Sequence, residues 1–240
     1  VAAEDSVRVG TVVAGQADIA RGIEAPDEAQ FTASGLSLVA ASTNGVNNGL
    51  SFRFREPRLE DVRVRQALIA GIDRQQIVDT LFTKNYPLAT GALATTALGY
   101  VDTSSYYAYD PDKASELLDE AGWAESGDGI REKDGKKLKL LYQTSINGPR
   151  QKTQAIVKQA CQKAGIDVEL KSVVASVFFS SDVANPDTYA HFYADIEMFQ
   201  IPMTQPDPAL HMRRYHSRNV ATKENKWQGP NFPRWANKEF

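Results

Sequence analysis

The side chains that most often carry chemistry are sparse in this sequence, and their spacing works against most reactions. The three histidines are His191, His211 and His216. His211 and His216 lie five positions apart, off the i, i+4 spacing that puts two metal ligands on one helix face, and no HExxH occurs. The single cysteine, Cys161, sits in the amphipathic run QAIVKQACQKAGI. It can build neither a disulfide framework nor a CxxC metal site, and reads as a small core residue. There is no GxSxG, no P-loop and no GxGxxG. Aspartates and glutamates are many but dispersed, which offers no paired carboxylates for acid–base work. The expectation is a protein that is not an enzyme, with no metal and no cofactor. Aromatic stretches are the better candidates for recognition. Tyr100, Tyr106, Tyr107 and Tyr109 fall in one loop, and either line a ligand cleft or pack that loop onto the domain. Phe178, Phe179, Tyr189, Phe192, Tyr193 and Phe199 form a second stretch, which runs into a Pro-rich turn at Gln205-Pro206-Asp207-Pro208.

At 240 residues the chain holds one large or two small domains. Its 42% hydrophobic and 24% charged residues are ordinary for a globular protein with a sizeable core. A net charge of -3 gives no basic footprint for nucleic acid. Basic residues cluster only in pairs such as Lys136-Lys137 and Arg213-Arg214, as on a solvated face. No apolar run of about 18 residues is present to span a membrane, and no signal peptide begins the chain. A single cysteine suits the cytosol and equally suits exported proteins that avoid disulfides. Both ends look cut, since Val1 is not a natural start and Phe240 follows no compact ending.

The elements that must position these residues start with Pro57 to Phe82, the longest stretch with one consistent signal. Asp61 can cap a helix whose stripe is Val62, Ala67, Leu68 and Ile72, with Val64 and Ile69 toward its edges. Asp73 offers a second cap, before Ile77, Val78, Leu81 and Phe82. Arg63, Arg65 and Arg74 fall on the outer faces. Upstream, VRVGTVV (7–13) alternates as a strand, 36–41 reads as another, and Leu50, Phe52 and Phe54 alternate in a third. Asn44-Gly45 and Asn47-Asn48-Gly49 are turn signals. Downstream, Asp110 caps a helix with Pro111 at its first position, Ala114, Leu117, Leu118 and Ala121 inward, and Gly122 ending it. Gly127-Asp128-Gly129 and Lys133-Asp134-Gly135 bracket a hairpin. KLKLLYQT is a strand. Asn147 caps a helix to about Ala164, with Ala155, Ile156, Ala160 and Cys161 inward, and Ile166, Val168 and Leu170 alternate in a strand parallel to the first. Ile196 and Met198 mark one more strand, leading into Ile201-Pro202.

Several of these segments resemble, in order, those of family 5 solute-binding proteins, the peptide/nickel-type receptors of bacterial ABC importers. Asp61-Val62-Arg63-Val64-Arg65-Gln66-Ala67-Leu68 with Ile72-Asp73-Arg74 and Ile77-Val78 resembles the family signature. Ala14-Gly15-Gln16-Ala17-Asp18-Ile19, Leu50-Ser51-Phe52-Arg53, the run from Tyr109 to Trp123, and Pro206-Asp207-Pro208 resemble four further family segments. The resemblance implies an α/β, periplasmic-binding-protein-like lobe of the class II or cluster C type, with a mixed sheet flanked by helices. Family members are bilobal and enclose the ligand between lobes. Residues 1–50 then correspond to the end of a first-lobe segment and the hinge crossover, and 51–240 to a second lobe truncated at its C-terminal side.

The implied function is a substrate-binding component that captures a peptide or peptide-like solute and delivers it to membrane permease subunits. The implied setting is the periplasm or cell surface, as a monomer, with no nucleic acid and after loss of a signal peptide. A sensing or chaperone-like module of the same fold is the alternative. Phe199, Gln200, Met203, Thr204, Gln205 and Asp207 are the implied ligand contacts, although Asp207 also suits a helix cap. Peptide-binding relatives hold the ligand's α-ammonium with an aspartate where, by spacing, Thr204 stands here, and a neutral threonine removes that charge pairing. Arg53 stands where the family often has asparagine. The long 225–237 segment is either a specificity loop or a surface loop.

Overall fold

Val9 and Val12, three residues apart, are both buried, whereas Val7 and Val13 face solvent. That spacing belongs to a helix. The computed structural model, which describes residues 4–41, 47–182, 184–200, 203 and 205–238, accordingly forms α1 (Asp5–Val13) where alternation predicts a strand. Helix α2 (Ala25–Ala33) follows, and its Phe31 packs with Val9 and Val12. Leu36 and Leu38 pack on the same cluster without forming the predicted strand, and Val39 is exposed. The run of apolar residues there reflects contact with two helices, not sheet pairing.

The chain divides into two units, Val1–Ser42 with Gln75–Leu88, and Thr43–Arg74 with Ala89–Phe240. In the first, buried Glu28 accepts hydrogen bonds from the Thr83 hydroxyl (2.6 Å) and the Asn85 amide (2.9 Å). The Tyr86 hydroxyl donates to the Ile23 carbonyl (3.1 Å).

The second unit begins with β1 (Gly49–Phe52). Pro57 opens the short α3 (Pro57–Glu60), capped by Glu56, and Asp61 caps α4 (Val62–Gly71) by accepting from the Arg63 N–H (2.9 Å). The Arg63 guanidinium folds back on the same carboxylate and holds its pKa down to about 2. The buried stripe centres on Val64, Ala67 and Leu68, and Val62 is half exposed. The expected stripe is thus rotated by part of a turn. α5 (Arg74–Leu81) follows, and of its predicted stripe only Ile77 is buried. The arginines tie backbone together. Arg65 lies over the Phe54 ring (4.6 Å) and donates to the Glu60 carbonyl (2.8 Å). Arg74 donates to the carbonyls of Ala89 (3.2 Å) and Tyr107 (2.8 Å).

α6 (Pro111–Glu120) is capped by Asp110 and buries Ala114, Leu117 and Leu118 as its spacing predicts. Strands β2 (Glu132–Lys133) and β3 (Lys136–Lys137) pair around Asp134 and Gly135. Both turn residues have positive φ (50° and 71°), the backbone that a tight hairpin demands. Lys133-Asp134-Gly135 is therefore the tip of the hairpin and not its border. Beside it Arg131, almost wholly buried, donates to the carbonyls of Trp123 (2.7 Å) and Ala164 (3.1 Å) and pairs with Asp119.

The main sheet has the order β1–β6–β4–β5, formed by β4 (Lys139–Ser145), β5 (Asp167–Val173) and β6 (Ile196–Phe199) with β1. β4 runs parallel to both β5 and β6, and β1 antiparallel to β6. Between β4 and β5 comes α7 (Gly148–Lys163), capped by Asn147. It buries Thr153, Gln154, Val157 and Cys161, while the expected Ala155 is exposed. Gln154 is inward because it bonds the sheet, donating to the carbonyls of Tyr142 (2.9 Å) and Lys171 (3.2 Å). A polar residue with that task is invisible to a hydrophobicity pattern. α8 (Ala175–Phe178) and α9 (Ala209–Met212) are single turns.

One carboxylate joins most of these parts. Asp195 is 4% exposed and immediately precedes β6. It accepts from the Leu141 N–H on β4 (2.8 Å) and pairs with Arg53 after β1 (3.5 Å) and Arg58 on α3 (3.4 Å). Removing one partner of a buried ion pair typically costs about 3–5 kcal/mol. The guanidinium groups here are a quarter to a third exposed, so Asp195→Ala is expected to lower unfolding free energy by about 2–3 kcal/mol. Urea denaturation checks this; a loss within about 0.5 kcal/mol, as for an ordinary surface change, would contradict the role given to Asp195.

Candidate functional site

Three parallel strands end side by side in the second unit. Ser145 at the end of β4 pairs with Val173 at the end of β5, and Thr144 pairs with Met198 near the end of β6. In open α/β sheets ligands bind in the crevice outside the carboxyl ends of the strands. At this edge the chain exposes apolar side chains, Ile146 (53%), Val174 (57%) and Phe179 (42%), directly after β4, β5 and α8. The Ile146 N–H donates to the Val173 carbonyl (2.7 Å), which locks the first two segments together. Arg150, in the first turn of α7, donates to the Ser145 hydroxyl (2.7 Å) and lies 5.9 Å from the Phe179 ring. The edge therefore combines apolar surface with a positioned guanidinium and a hydroxyl.

Of the residues that the sequence singles out, Phe199 ends β6 and Gln200 follows it directly. Phe199 is only 6% exposed. Its ring packs on Tyr189 (5.2 Å), Phe232 (5.4 Å) and Phe178 (6.1 Å), so it supports the edge from beneath. Gln200 and Gln205 are exposed and Met203 is half buried. Asp207 is exposed, and its carboxylate accepts from the Ala209 N–H (2.8 Å), which makes it a cap for α9. Thr204 lies outside the described residues, as do Ile201 and Pro202. The turn signal at Asn44-Gly45 is likewise outside them. The sequence marks Phe179 only as part of an aromatic stretch, and Ile146 and Val174 not at all. The available signal was the end of each alternating run on β4 and β5, where one further apolar residue follows the strand.

The other sequence candidates have structural roles. The Tyr100 hydroxyl meets that of Thr90 (2.6 Å), and Tyr107 lies beneath Arg74 (5.0 Å). Tyr106 and Tyr109 face solvent. Burial pushes the Cys161 thiol up to about 12, far from a reactive thiolate. His191 meets the Thr188 hydroxyl through Nδ1 (2.7 Å). Burial and the Arg214 charge hold buried His211 down at about 4. His216 accepts the Arg218 N–H through Nδ1. Among the described residues no group of three or more His, Cys, Asp or Glu side chains could hold a metal ion. Nor is any helix among them long and apolar enough to cross a membrane. The 225–237 segment packs into the unit through buried Asn231 and Phe232. Its Arg234 donates to the carbonyls of His191 (2.5 Å) and Phe192 (3.2 Å).

A mixed sheet flanked by helices is the architecture of a periplasmic-binding-protein lobe. Residues 1–217 match the family of bacterial extracellular solute-binding proteins, family 5 Middle, and the chain belongs to that family. It is 33% identical over 119 residues to the oligopeptide-binding protein AppA of Bacillus subtilis, covering 48% of this chain and 22% of AppA. It is 35% identical over 132 residues to the oligopeptide-binding protein OppA of Mycobacterium tuberculosis, covering 52% of this chain and 22% of OppA. The structure of Bacillus subtilis AppA in complex with a nonapeptide is similar, with TM-score 0.77 and 23% identity, over 100% of this chain and 45% of that one. The chain thus spans less than half the length of these relatives.

Core and contact roles separate by substitution. Phe199→Ala should cost about 3 kcal/mol of stability, as for a buried aromatic. Gln200→Ala and Gln205→Ala should each change it by no more than about 0.5 kcal/mol. Chemical denaturation of the three variants measures the difference. Equal losses in all three would show that the segment is uniformly structural.

Proposed function

We propose that this chain is part of the substrate-binding component of an ABC importer, capturing a peptide or peptide-like small solute between two lobes and delivering it to a membrane permease. Residues 1–50 end a first-lobe segment and make the hinge crossover, and residues 51–240 form the second lobe. The observation that carries the proposal is the exposed apolar edge at the carboxyl ends of β4, β5 and β6, in a chain of the solute-binding family. The oligopeptide-binding names of its relatives support the ligand class. Ligand contacts come from Gln200, Met203, Thr204, Gln205 and Asp207, held up by Phe199 and joined by Ile146, Val174 and Phe179. The ligand bridges two lobes, favours the closed arrangement by binding it more tightly, and the closed form docks on the permease. The protein works outside the cytoplasm, in the periplasm or at the cell surface, as a monomer without catalysis.

The segment from Phe199 to Asp207 contains one carboxylate, and it already accepts a backbone N–H. The acceptor available by spacing, Thr204, is neutral. Recognition thus favours solutes without a free α-ammonium, such as blocked peptides, because an unpaired buried ammonium is costly. Native mass spectrometry of the receptor purified from its own host identifies the bound solute. Blocked or non-peptide solutes are the expected result, and recovery of peptides with free amino termini would overturn this specificity. Val174 is exposed, so Val174→Asp should leave stability within about 0.5 kcal/mol while reducing the retained solute about tenfold, the loss of about 1.4 kcal/mol of apolar contact.

A further inference from the structure

Glu197 lies in the middle of β6, opposite Ser51 on β1 and Gln143 on β4, and is fully buried. One carboxyl oxygen accepts from the Gln143 amide (3.3 Å). The other is buried without a partner among the described residues. The nearby cations bond elsewhere, although the buried Arg53 Nε has no partner among the described residues. Arg53 is paired with Asp195 and donates to the Tyr193 carbonyl (3.0 Å). Arg234 donates to the carbonyls of His191, Phe192 and Phe232. Further across the sheet, Lys171 is paired with Asp187, whose own carbonyl accepts from Gln143. Asp195, two residues earlier on the same chain, adds negative charge. Among the described residues no direct ion pair compensates a charge on Glu197, and an uncompensated buried carboxylate is far costlier than a buried acid.

We propose that Glu197 folds as a neutral carboxylic acid and acts as a pH-sensitive latch on β6, the strand that leads into the candidate recognition segment. Burial raises its proton affinity well above the ordinary 4.5, against the smaller opposing effects of Arg234 and Arg53. A raised folded-state value means that stability is fully present below 4.5 and is lost as pH rises through the folded value. Ionisation forces the carboxylate to seek water or to draw Arg53 or Arg234 from present partners. Either change loosens β6 against β1 and β4 and frees the start of the recognition segment. The link to solute binding rests on the function proposed above, but the titration does not, so the two can fail separately.

The test compares urea midpoints of the 240-residue chain and of Glu197→Gln, an isostere of the protonated acid, from about pH 4 to about pH 9. Asp195 is present in both proteins, so most of its own pH dependence is common to the two curves. The variant should gain on the native protein as pH rises, by at least about tenfold in the folding constant at about pH 8, which is one unit of proton affinity. The gap should close at the acidic end. Parallel curves would overturn the proposal. Should the variant fail to fold, the carbon-13 resonance of the Glu197 carboxyl in the native protein decides. A shift that stays constant from about pH 4 to about pH 7 supports the latch, and titration alongside the exposed glutamates overturns it.

Discussion

The second unit depends on a four-residue strand, β6, being held between β1 and β4 with every one of its side chains buried. So short a strand supplies few ladder bonds of its own. The Asp195 carboxylate makes up the difference at its amino end. It bonds the β4 backbone directly and draws in Arg53 and Arg58, so β1, α3, β4 and β6 meet at one group. Arg58 also donates to the Lys139 carbonyl at the start of β4. At the other end of β6, Phe199 packs into the aromatic cluster with Phe178, Tyr189 and Phe232. An electrostatic anchor and an apolar anchor thus bracket the strand.

This arrangement explains why a recognition surface can lie where it does. The carboxyl ends of β4, β5 and β6 share one edge because all three strands run the same way. The segments leaving them expose Ile146, Val174 and Phe179 while Phe178, one residue earlier, is wholly buried. Phe178 and Phe179 meet edge to face at 4.9 Å, so the exposed ring is held by the buried one. A surface apolar group held in place by the core binds with less ordering cost than one on a mobile loop.

Much of this was legible in the sequence where a local cap and a strong period agreed. Asp61, Asp110 and Asn147 each begin the helix their spacing announces, and the parallel β4–α7–β5 unit follows from strand, helix and strand in turn. The arginines of the first helix pair, placed on outer faces by their spacing, are inter-element ties. Periodicity failed where burial is not apolar or where apolar residues serve another element. Gln154 and Thr153 turn inward on α7, in place of Ala155. Val9 and Val12 make a helix face inside a stretch rich in β-branched residues, because tertiary contact with Phe31 overrides propensity. The exposed apolar residues after β4 and β5 were not legible as one surface. Ile146 and Val174 become neighbours through strand pairing between segments far apart in sequence, which no local pattern records.

The central claim is that solute is held at the carboxyl edge of β4, β5 and β6. Amide hydrogen exchange on the receptor carrying its native solute, compared with the same protein after the solute is stripped, tests it most directly. Added protection is expected in 145–150, 173–180 and 199–207, with little change in 111–122 or 225–237. Protection confined to the tyrosine loop at 100–109 or to 225–237, with the strand ends unchanged, would contradict it.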